Sequence, residues 1–509
     1  MPRPNHNAPL DRSIPLNPCA RMRAWREHFR PVSPAAMRIA LLGIVLMGFL
    51  VRLWPLDFQS LWRDEVDVLR FAVRPLPELL RDLTRAEHNG PLYYVLMRGW
   101  LELAGSSEFA LRFVSLCGGV LSIALVWGVA HPLIGRRAAL LATLLAALSP
   151  YLVWYAQDAK MYAALTALIL LALWCAARAV QRGRALWWGA FVLAASLALY
   201  IHLLAALMIP LYALLPLTWS SMRGRWQYWL IALGMLTLPY LPLALWQLPL
   251  LVHPHPTGHA FTPLPEMLTL LLALHTRGVA LVGDWPVLTT FLFAVLLGIF
   301  VPSAQARTED GAGGRARLFL ALWSFLPVVL LFAVTLRIPL FQPRYLIFTL
   351  PPFLMLAARG IVALARMTRA VTLALLAVVL AFSLLGIWVQ STIPLKSDFR
   401  AAAAFVAQRY QAGEPIMFQV PYVRYVFDYY FPLAHPTLEG PWTNDGKSAE
   451  SVAQLLRETT KGYTTLWLVA SESWLWDERD LTRAWLRENA VLLDTGSFAR
   501  VEVYHYRLD

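Results

Sequence analysis

From residue 36 to residue 390 the chain alternates long apolar runs with short polar connections. A spanning helix takes roughly 20 apolar residues, within a range of about 17–25. On that measure helices are predicted near 36–53, 111–131, 138–154, 160–180, 185–201, 203–219, 227–247, 285–302, 318–336, 345–359 and 370–390, eleven in all. Between the first and second runs, Asp64–Val73, Pro77–Glu87 and Pro91–Leu103 read as short helices, too polar or too short to span, lying along the interface. The pattern changes from Lys396 onward. Asp398–Tyr410 is an amphipathic helix with Asp398 as N-cap, Ser448–Thr459 and Arg479–Asn489 are further helices, and Pro415–Val420, Thr464–Ala470 and Arg500–Arg507 read as strands.

The predicted architecture is therefore an α-helical polytopic membrane protein with a small α/β domain at its C-terminal end. Its parts are a polar tail over 1–35, a transmembrane body over 36–390 and the α/β domain over 391–509. A hydrophobic content of 58% and a mean hydropathy of +0.54 agree, being far above the values of soluble domains. The net charge of +13 changes the picture only in its distribution. Arginines gather in alternate connections, at Arg136 and Arg137, at Arg178, Arg182 and Arg184, at Arg223 and Arg225, at Arg307, Arg315 and Arg317, and at Arg359, Arg366 and Arg369. Such clusters orient membrane helices and argue against a nucleic-acid partner. They put the N-terminus in the cytoplasm and the C-terminus outside, in a multi-pass protein of the cell inner (plasma) membrane. No small-residue cleavage pattern follows the first run, which is read as a retained helix. Cys19, Cys117 and Cys175 are too scattered for a disulfide framework or a zinc site.

Under that topology four polar clusters meet on the outer face. Asp64, Glu65 and Asp67 place three carboxylates within four positions, which is too costly for lipid. The others are Glu87-His88-Asn89-Gly90-Pro91-Leu92-Tyr93-Tyr94, then Tyr155-Ala156-Gln157-Asp158-Ala159-Lys160-Met161-Tyr162, then Phe341-Gln342-Pro343-Arg344-Tyr345. A plainer role is open to each. An acidic cluster can be a solvated face, Asp158 and Lys160 can form a local ion pair at a helix start, Arg344 can snorkel to headgroups, and Tyr155, Tyr162 and Tyr345 can be interface aromatics. His202, at a helix junction, reads as a structural hydrogen-bonding residue. His253-Pro254-His255-Pro256-Thr257-Gly258-His259 is read as a mobile lid rather than a metal site, because nothing fixes a fourth ligand.

The clusters occur in a familiar order. Leu61-Trp62-Arg63-Asp64-Glu65, His88-Asn89-Gly90-Pro91-Leu92-Tyr93-Tyr94, Glu108-Phe109-Ala110-Leu111-Arg112, the Tyr155–Tyr162 stretch, and Arg344-Tyr345-Leu346 followed by Pro351 resemble the family-39-like glycosyltransferases. These are GT-C fold enzymes akin to protein mannosyltransferases and lipid A aminoarabinose transferases. The resemblance implies an inverting transfer of a sugar from a polyprenyl-phosphate donor to a glycan, lipid or protein acceptor outside the membrane. It puts the catalytic base at Asp64, with Glu65 beside it helping to position the acceptor. Lys160 stands where relatives commonly have Arg, and His88-Asn89-Gly90-Pro91 where they often have His-Pro-Pro.

Elementary chemistry fits those assignments. A carboxylate within hydrogen-bond reach can take the proton of an attacking hydroxyl, and a second carboxylate beside it raises its proton affinity. The leaving phosphate needs cations, for which Lys160 and Arg344 are the candidates, Arg344 being able to grip two oxygens. His88, Tyr155, Asp158, Tyr162 and Tyr345 are the candidate substrate-binding residues. No cofactor is required and no metal is predicted, although a divalent ion is compatible with the site. Two rivals are carried forward: a transporter or flippase of lipid-linked sugars, which predicts charges inside several spans, and a structural envelope component, which predicts that all four clusters tolerate alanine.

Overall fold

The computed structural model describes residues 33–82, 90–253, 260–283, 285–302 and 312–508. Among these, six helices are long and apolar enough to cross a membrane, or seven if the bent pair Arg136–Ala147 and Pro150–Ala156 is one crossing. Ala185–Ile201 and Trp285–Phe300 are apolar but shorter. The expectation of unbroken helices fails in three places, each beside proline. The segment predicted over 345–359 begins as a 3-10 turn, Pro343–Thr349, and is α-helical only over Leu350–Leu364, with Pro351 in its first turn. The segment predicted over 138–154 bends by 55° between its halves. Pro150 has no N–H to continue the ladder, and the Ser149 hydroxyl accepts from Leu152 N to start a new helix. The segment predicted over 203–219 is a 3-10 turn, Leu203–Met208, followed by the short helices Ile209–Ala213 and Leu215–Thr218, with Pro210 and Pro216 near their starts. Conversely, Leu264–Arg277 is a helix inside a stretch expected to be a loop, with proline and Glu266 in its first turn.

The bend at Pro150 frees carbonyls within the bundle, and a buried cation satisfies them. Arg52 is wholly buried, and it donates to Ala147 O at 2.8 Å, Ala146 O at 3.1 Å and Gly48 O at 3.0 Å. An arginine at this depth is tolerable only because the helix end supplies acceptors. Elsewhere small residues set the packing. Gly298 and Gly360 let Trp285–Phe300 and Leu350–Leu364 approach backbone to backbone.

After the last long helix, Arg369–Thr392, the chain builds a five-stranded sheet. Its strands are β1 (Ile416–Phe418), β2 (Thr437–Glu439), β3 (Thr465–Ala470), β4 (Ala490–Phe498) and β5 (Val501–Leu508), in the order β2-β1-β3-β5-β4. β1 pairs in parallel with β2 and β3, while β5 runs antiparallel to β3 and β4. Period-two alternation gives each face its own core. Met417, Leu466 and Leu468 pack with Val452, Leu456 and Leu486 on one side, and Phe418, Trp467 and Val469 join Ala402 and Val406 on the other. β2 and β4 went unpredicted. The predicted N-cap is present: Asp398 accepts from Ala401 N at 3.0 Å.

The first loop is the joint between the helices and the sheet region. Gln59 donates to Gln390 O and Ile393 O, both at 2.8 Å, and accepts from Leu395 N at 2.9 Å and Lys396 N at 3.2 Å. Leu61 N donates to the Tyr430 hydroxyl at 2.7 Å, and that hydroxyl donates to Glu108. Arg63 and Arg70 lie over the rings of Tyr422 and Tyr425, at 3.8 and 3.3 Å. The residues that clamp the joint therefore flank the acidic motif directly.

Candidate active site

The acidic helix runs from Arg63 to Ala72, and its first turn carries Asp64 and Glu65. Consecutive residues on a helix point about 100° apart. That angle sends the two carboxylates to different places.

Glu65 turns inward and is wholly buried. Arg112, also wholly buried, donates from Nε to Oε1 at 2.7 Å and from Nη2 to Oε2 at 2.9 Å. Lys396 Nζ donates to Oε2 at 2.8 Å, and Ala159 N to Oε1 at 2.9 Å. Burial alone would raise the pKa of this carboxyl. The charges and hydrogen bonds of Arg112 and Lys396 outweigh it and bring the group down to about 2. Lys396 also donates to Asp158 Oδ1 at 2.8 Å, and Trp62 Nε1 to the same oxygen at 2.9 Å. Glu65, Arg112, Lys396 and Asp158 thus form a closed quartet that balances at full ionisation. Asp158 is the weakly held member: burial pushes its pKa up, and its Oδ2 is buried without a hydrogen-bond partner among the described residues.

Asp64 turns outward, its side chain 24% exposed, and pairs with Arg344 Nη2 at 3.2 Å. The Arg344 guanidinium is ringed by Trp62, Tyr345 and Tyr162, at 5.2, 5.9 and 6.0 Å. Its Nε is buried and makes no hydrogen bond among the described residues. Lys160 is buried nearby. Burial works against its charge, but Tyr94, Asp64, Asp67 and Asp158 outweigh it and raise its pKa. Its backbone is anchored, the carbonyl accepting from Ser115 Oγ at 2.9 Å. Asp64, Arg344 and Lys160 together carry one positive charge more than they cancel. A site with a surplus cation and an unengaged donor is suited to an anion.

Tyr162 is the hub of the aromatic lining, with Tyr155 at 5.2 Å, His202 at 5.8 Å and Tyr345 at 6.4 Å between ring centroids. His202 is buried at its turn, and its Nδ1 accepts from Leu204 N at 3.2 Å. Burial first, then Arg344 and Lys160, depress its pKa to about 3, which leaves it neutral.

The structure thus brings Asp64, Arg344, Lys160, Tyr162 and Tyr345 together, with Tyr155 behind them. Glu65 differs from expectation. It faces the core and cannot reach an acceptor without breaking its ion pairs. Asp158 pairs with Lys396 and not with Lys160, and Arg344 pairs with Asp64 where a headgroup partner was the plainer expectation. Asp67 lies on the helix surface, 3.1 Å from Arg70 and 3.9 Å from Arg63. His88 and most of the histidine-rich loop, 254–259, lie outside the described residues. Among the described residues no three His, Cys, Asp or Glu side chains cluster as metal ligands would.

With this geometry, comparison with known proteins becomes informative. Residues 88–246 match the family described as dolichyl-phosphate-mannose-protein mannosyltransferase. No curated protein matches the chain by sequence. Among solved structures, ArnT from Cupriavidus metallidurans bound to undecaprenyl phosphate superposes with a TM-score of 0.57 at 14% identity, over 93% of this chain and 98% of that one. The oligosaccharyltransferase of Archaeoglobus fulgidus in its apo form gives 0.57 at 12% identity, over 94% of this chain and 75% of that one. The chain has the GT-C fold. It is a membrane protein of that fold, mostly helical, with several apolar helices and a small sheet.

Two site residues of this GT-C chain were missed in the sequence. Arg112 was visible inside the Glu108–Arg112 motif, and an arginine within an apolar run is itself a signal of an internal partner, either a carboxylate or, as for Arg52, backbone carbonyls. Lys396 gave no such signal. It lies 331 positions from Glu65, in a polar connection where lysine is ordinary.

Proposed function

We propose that this protein is an inverting glycosyltransferase that moves a sugar from a polyprenyl-phosphate donor to an acceptor on the outer face of the plasma membrane. The observation that carries the reading is the Asp64–Arg344 pair, 3.2 Å apart and partly open, beside Lys160. In this reading Asp64 is the base. It takes the proton of the acceptor hydroxyl as that oxygen attacks the anomeric carbon and the bond from carbon to phosphate oxygen breaks. Arg344 and Lys160 hold the departing phosphate, the Arg344 Nε supplying a second donor. His88, Tyr155, Tyr162, Tyr345 and Asp158 contact the substrates, Asp158 through the Oδ2 that makes no hydrogen bond among the described residues.

Glu65 acts as a positioning residue: locked to Arg112 and Lys396, it fixes the first turn of the helix that presents Asp64. Asp64 is thereby held in place before the substrate arrives. The undecaprenyl phosphate bound in the ArnT structure supports a lipid phosphate as the leaving group here. The orientation that goes with the proposal keeps eleven crossings, several of them short or broken, with the N-terminus in the cytoplasm and residues 391–509 outside as an α/β domain. The transporter reading finds buried arginines within the apolar helices, but Arg52 and Arg359 are bound to helix-end carbonyls. Such static caps do not line a path.

The test is lipid extraction from cells lacking the protein. Accumulated polyprenyl-phospho-sugar and an under-glycosylated envelope product, both reversed by the wild-type gene, are expected. If neither pool changes, the proposal fails.

A further inference from the structure

Two loops of the sheet region hold tryptophans in the open. Trp442 is 47% exposed and Trp474 65% exposed. Singly exposed apolar side chains are ordinary, but aromatic rings held side by side on rigid loops form a ready contact surface. These rings sit in irregular loops, 440–447 and 471–480, which an unusual number of hydrogen bonds makes rigid. Asp477, buried, accepts from Thr443 Oγ1 at 2.6 Å, Thr482 N at 2.9 Å, Leu481 N at 3.0 Å and Gln419 Nε2 at 3.1 Å. Thr443 N donates to Trp476 O at 2.9 Å and Trp476 Nε1 to Gly440 O at 3.0 Å. Glu472 and Asp480, at the two ends of the second loop, take left-handed φ values of 51° and 56°. Non-glycine residues held that way cost energy and persist only where the surroundings impose it.

The rigid loops fix a row of rings. Trp442 and Trp476 stand 6.0 Å apart with planes 43° apart, Trp476 meets Tyr422 edge-on at 6.1 Å, and the Arg63 guanidinium covers a face of Tyr422 at 3.8 Å, so the faces left for a sugar are those of the tryptophans. Arg63 precedes Asp64, so the row leads to the proposed base. The C–H groups on the flat side of a pyranose carry partial positive charge and complement the negative face of an aromatic ring. Polar groups border the rings: Asp445 pairs with Lys447, and Arg500 with Glu472. That mixed border suits hydroxyl groups, and it lacks the surplus of Lys and Arg that an anionic membrane surface would select.

We propose that this platform is a glycan-binding subsite that holds the sugar chain of the acceptor while its end enters beside Asp64. This rests on the glycosyltransferase reading and adds to it that the acceptor is an oligosaccharide, not a lone lipid headgroup. The test uses the full-length protein in detergent, titrated by calorimetry with hexasaccharides of glucose, mannose, galactose and N-acetylglucosamine. At least one is expected to bind, and the double variant W442A/W476A, shown to be folded by its melting temperature, is expected to bind it about tenfold more weakly or worse, two ring contacts being lost. No donor is present and no transfer is read, so this result stands apart from the fate of the catalytic reading. The inference is overturned if none of the four binds, or if the double variant binds as well as wild type. It is also overturned if brominated phospholipids quench the fluorescence difference between wild type and double variant in proteoliposomes, which would make the rings a membrane anchor.

Discussion

Replacing Lys396 by methionine isolates the cost of the closed quartet. The ammonium lies between two wholly buried carboxylates, 2.8 Å from an oxygen of each, so those oxygens are no more than twice that distance apart. The lysine side chain is itself 5% exposed, so solvent does little to screen the loss. Removing one partner of a buried ion pair costs about 3–5 kcal/mol, because the remaining charge is stranded. Here Arg112 still compensates Glu65, while Asp158 keeps only the Trp62 hydrogen bond, so the lower part of that range applies. The variant should melt about 3 °C below wild type at neutral pH, in detergent, by intrinsic fluorescence. Adding Asp158→Asn removes the stranded charge and should recover at least half of the fall. If Lys396→Met melts within about 1 °C of wild type, or the double variant melts lower than the single, the quartet does not carry the load assigned to it.

Three more predictions concern Glu65, the turn at Gly90 and the joint at Tyr430. Glu65, lowered from 4.5 to about 2, contributes stability that is complete above its unfolded value and lost as pH falls toward 2; for a fully buried group that is about 3 kcal/mol. Asp158, shifted upward, works in the opposite sense, so Glu65→Gln compared with wild type between pH 5 and pH 2 isolates the Glu65 share, and parallel acid-melting curves would refute it. Gly90 has φ +78°, and a Cβ there would stand 2.7 Å from the Ile201 carbonyl oxygen; Gly90→Ala should cost about 1–3 kcal/mol, read as a lower melting temperature. Tyr430→Phe leaves the buried Leu61 N–H without its acceptor. A loss of about 1–3 kcal/mol and faster proteolysis after Thr392 should follow, and unchanged proteolysis would count against the joint.

Much of this was legible in the sequence. Hydropathy located the long helices because lipid demands length and apolarity together, and the clustering of Asp64, Arg344, Lys160, Tyr162 and Tyr345 followed from their places at helix ends. What escaped was of two kinds. Breaks such as the one at Pro150 depend on a partner, Arg52, that lies 94 and 95 positions from the carbonyls it caps. The split fate of Asp64 and Glu65 follows from helical geometry, but deciding which acid faces inward needs Arg112 and Lys396, and Lys396 comes from the connection beyond the last long helix. β4 was hidden because Leu492 and Leu493 are exposed on an edge strand, giving no alternation to read.

The central claim is that Asp64 takes the acceptor proton. Its direct test is sugar transfer by purified Asp64→Asn from a defined undecaprenyl-phospho-sugar, with donor binding measured in parallel. General-base catalysis contributes about a hundredfold to ten-thousandfold, so kcat should fall by that much while donor binding holds within a few fold. Transfer at the wild-type rate by a correctly folded Asp64→Asn protein would contradict the account.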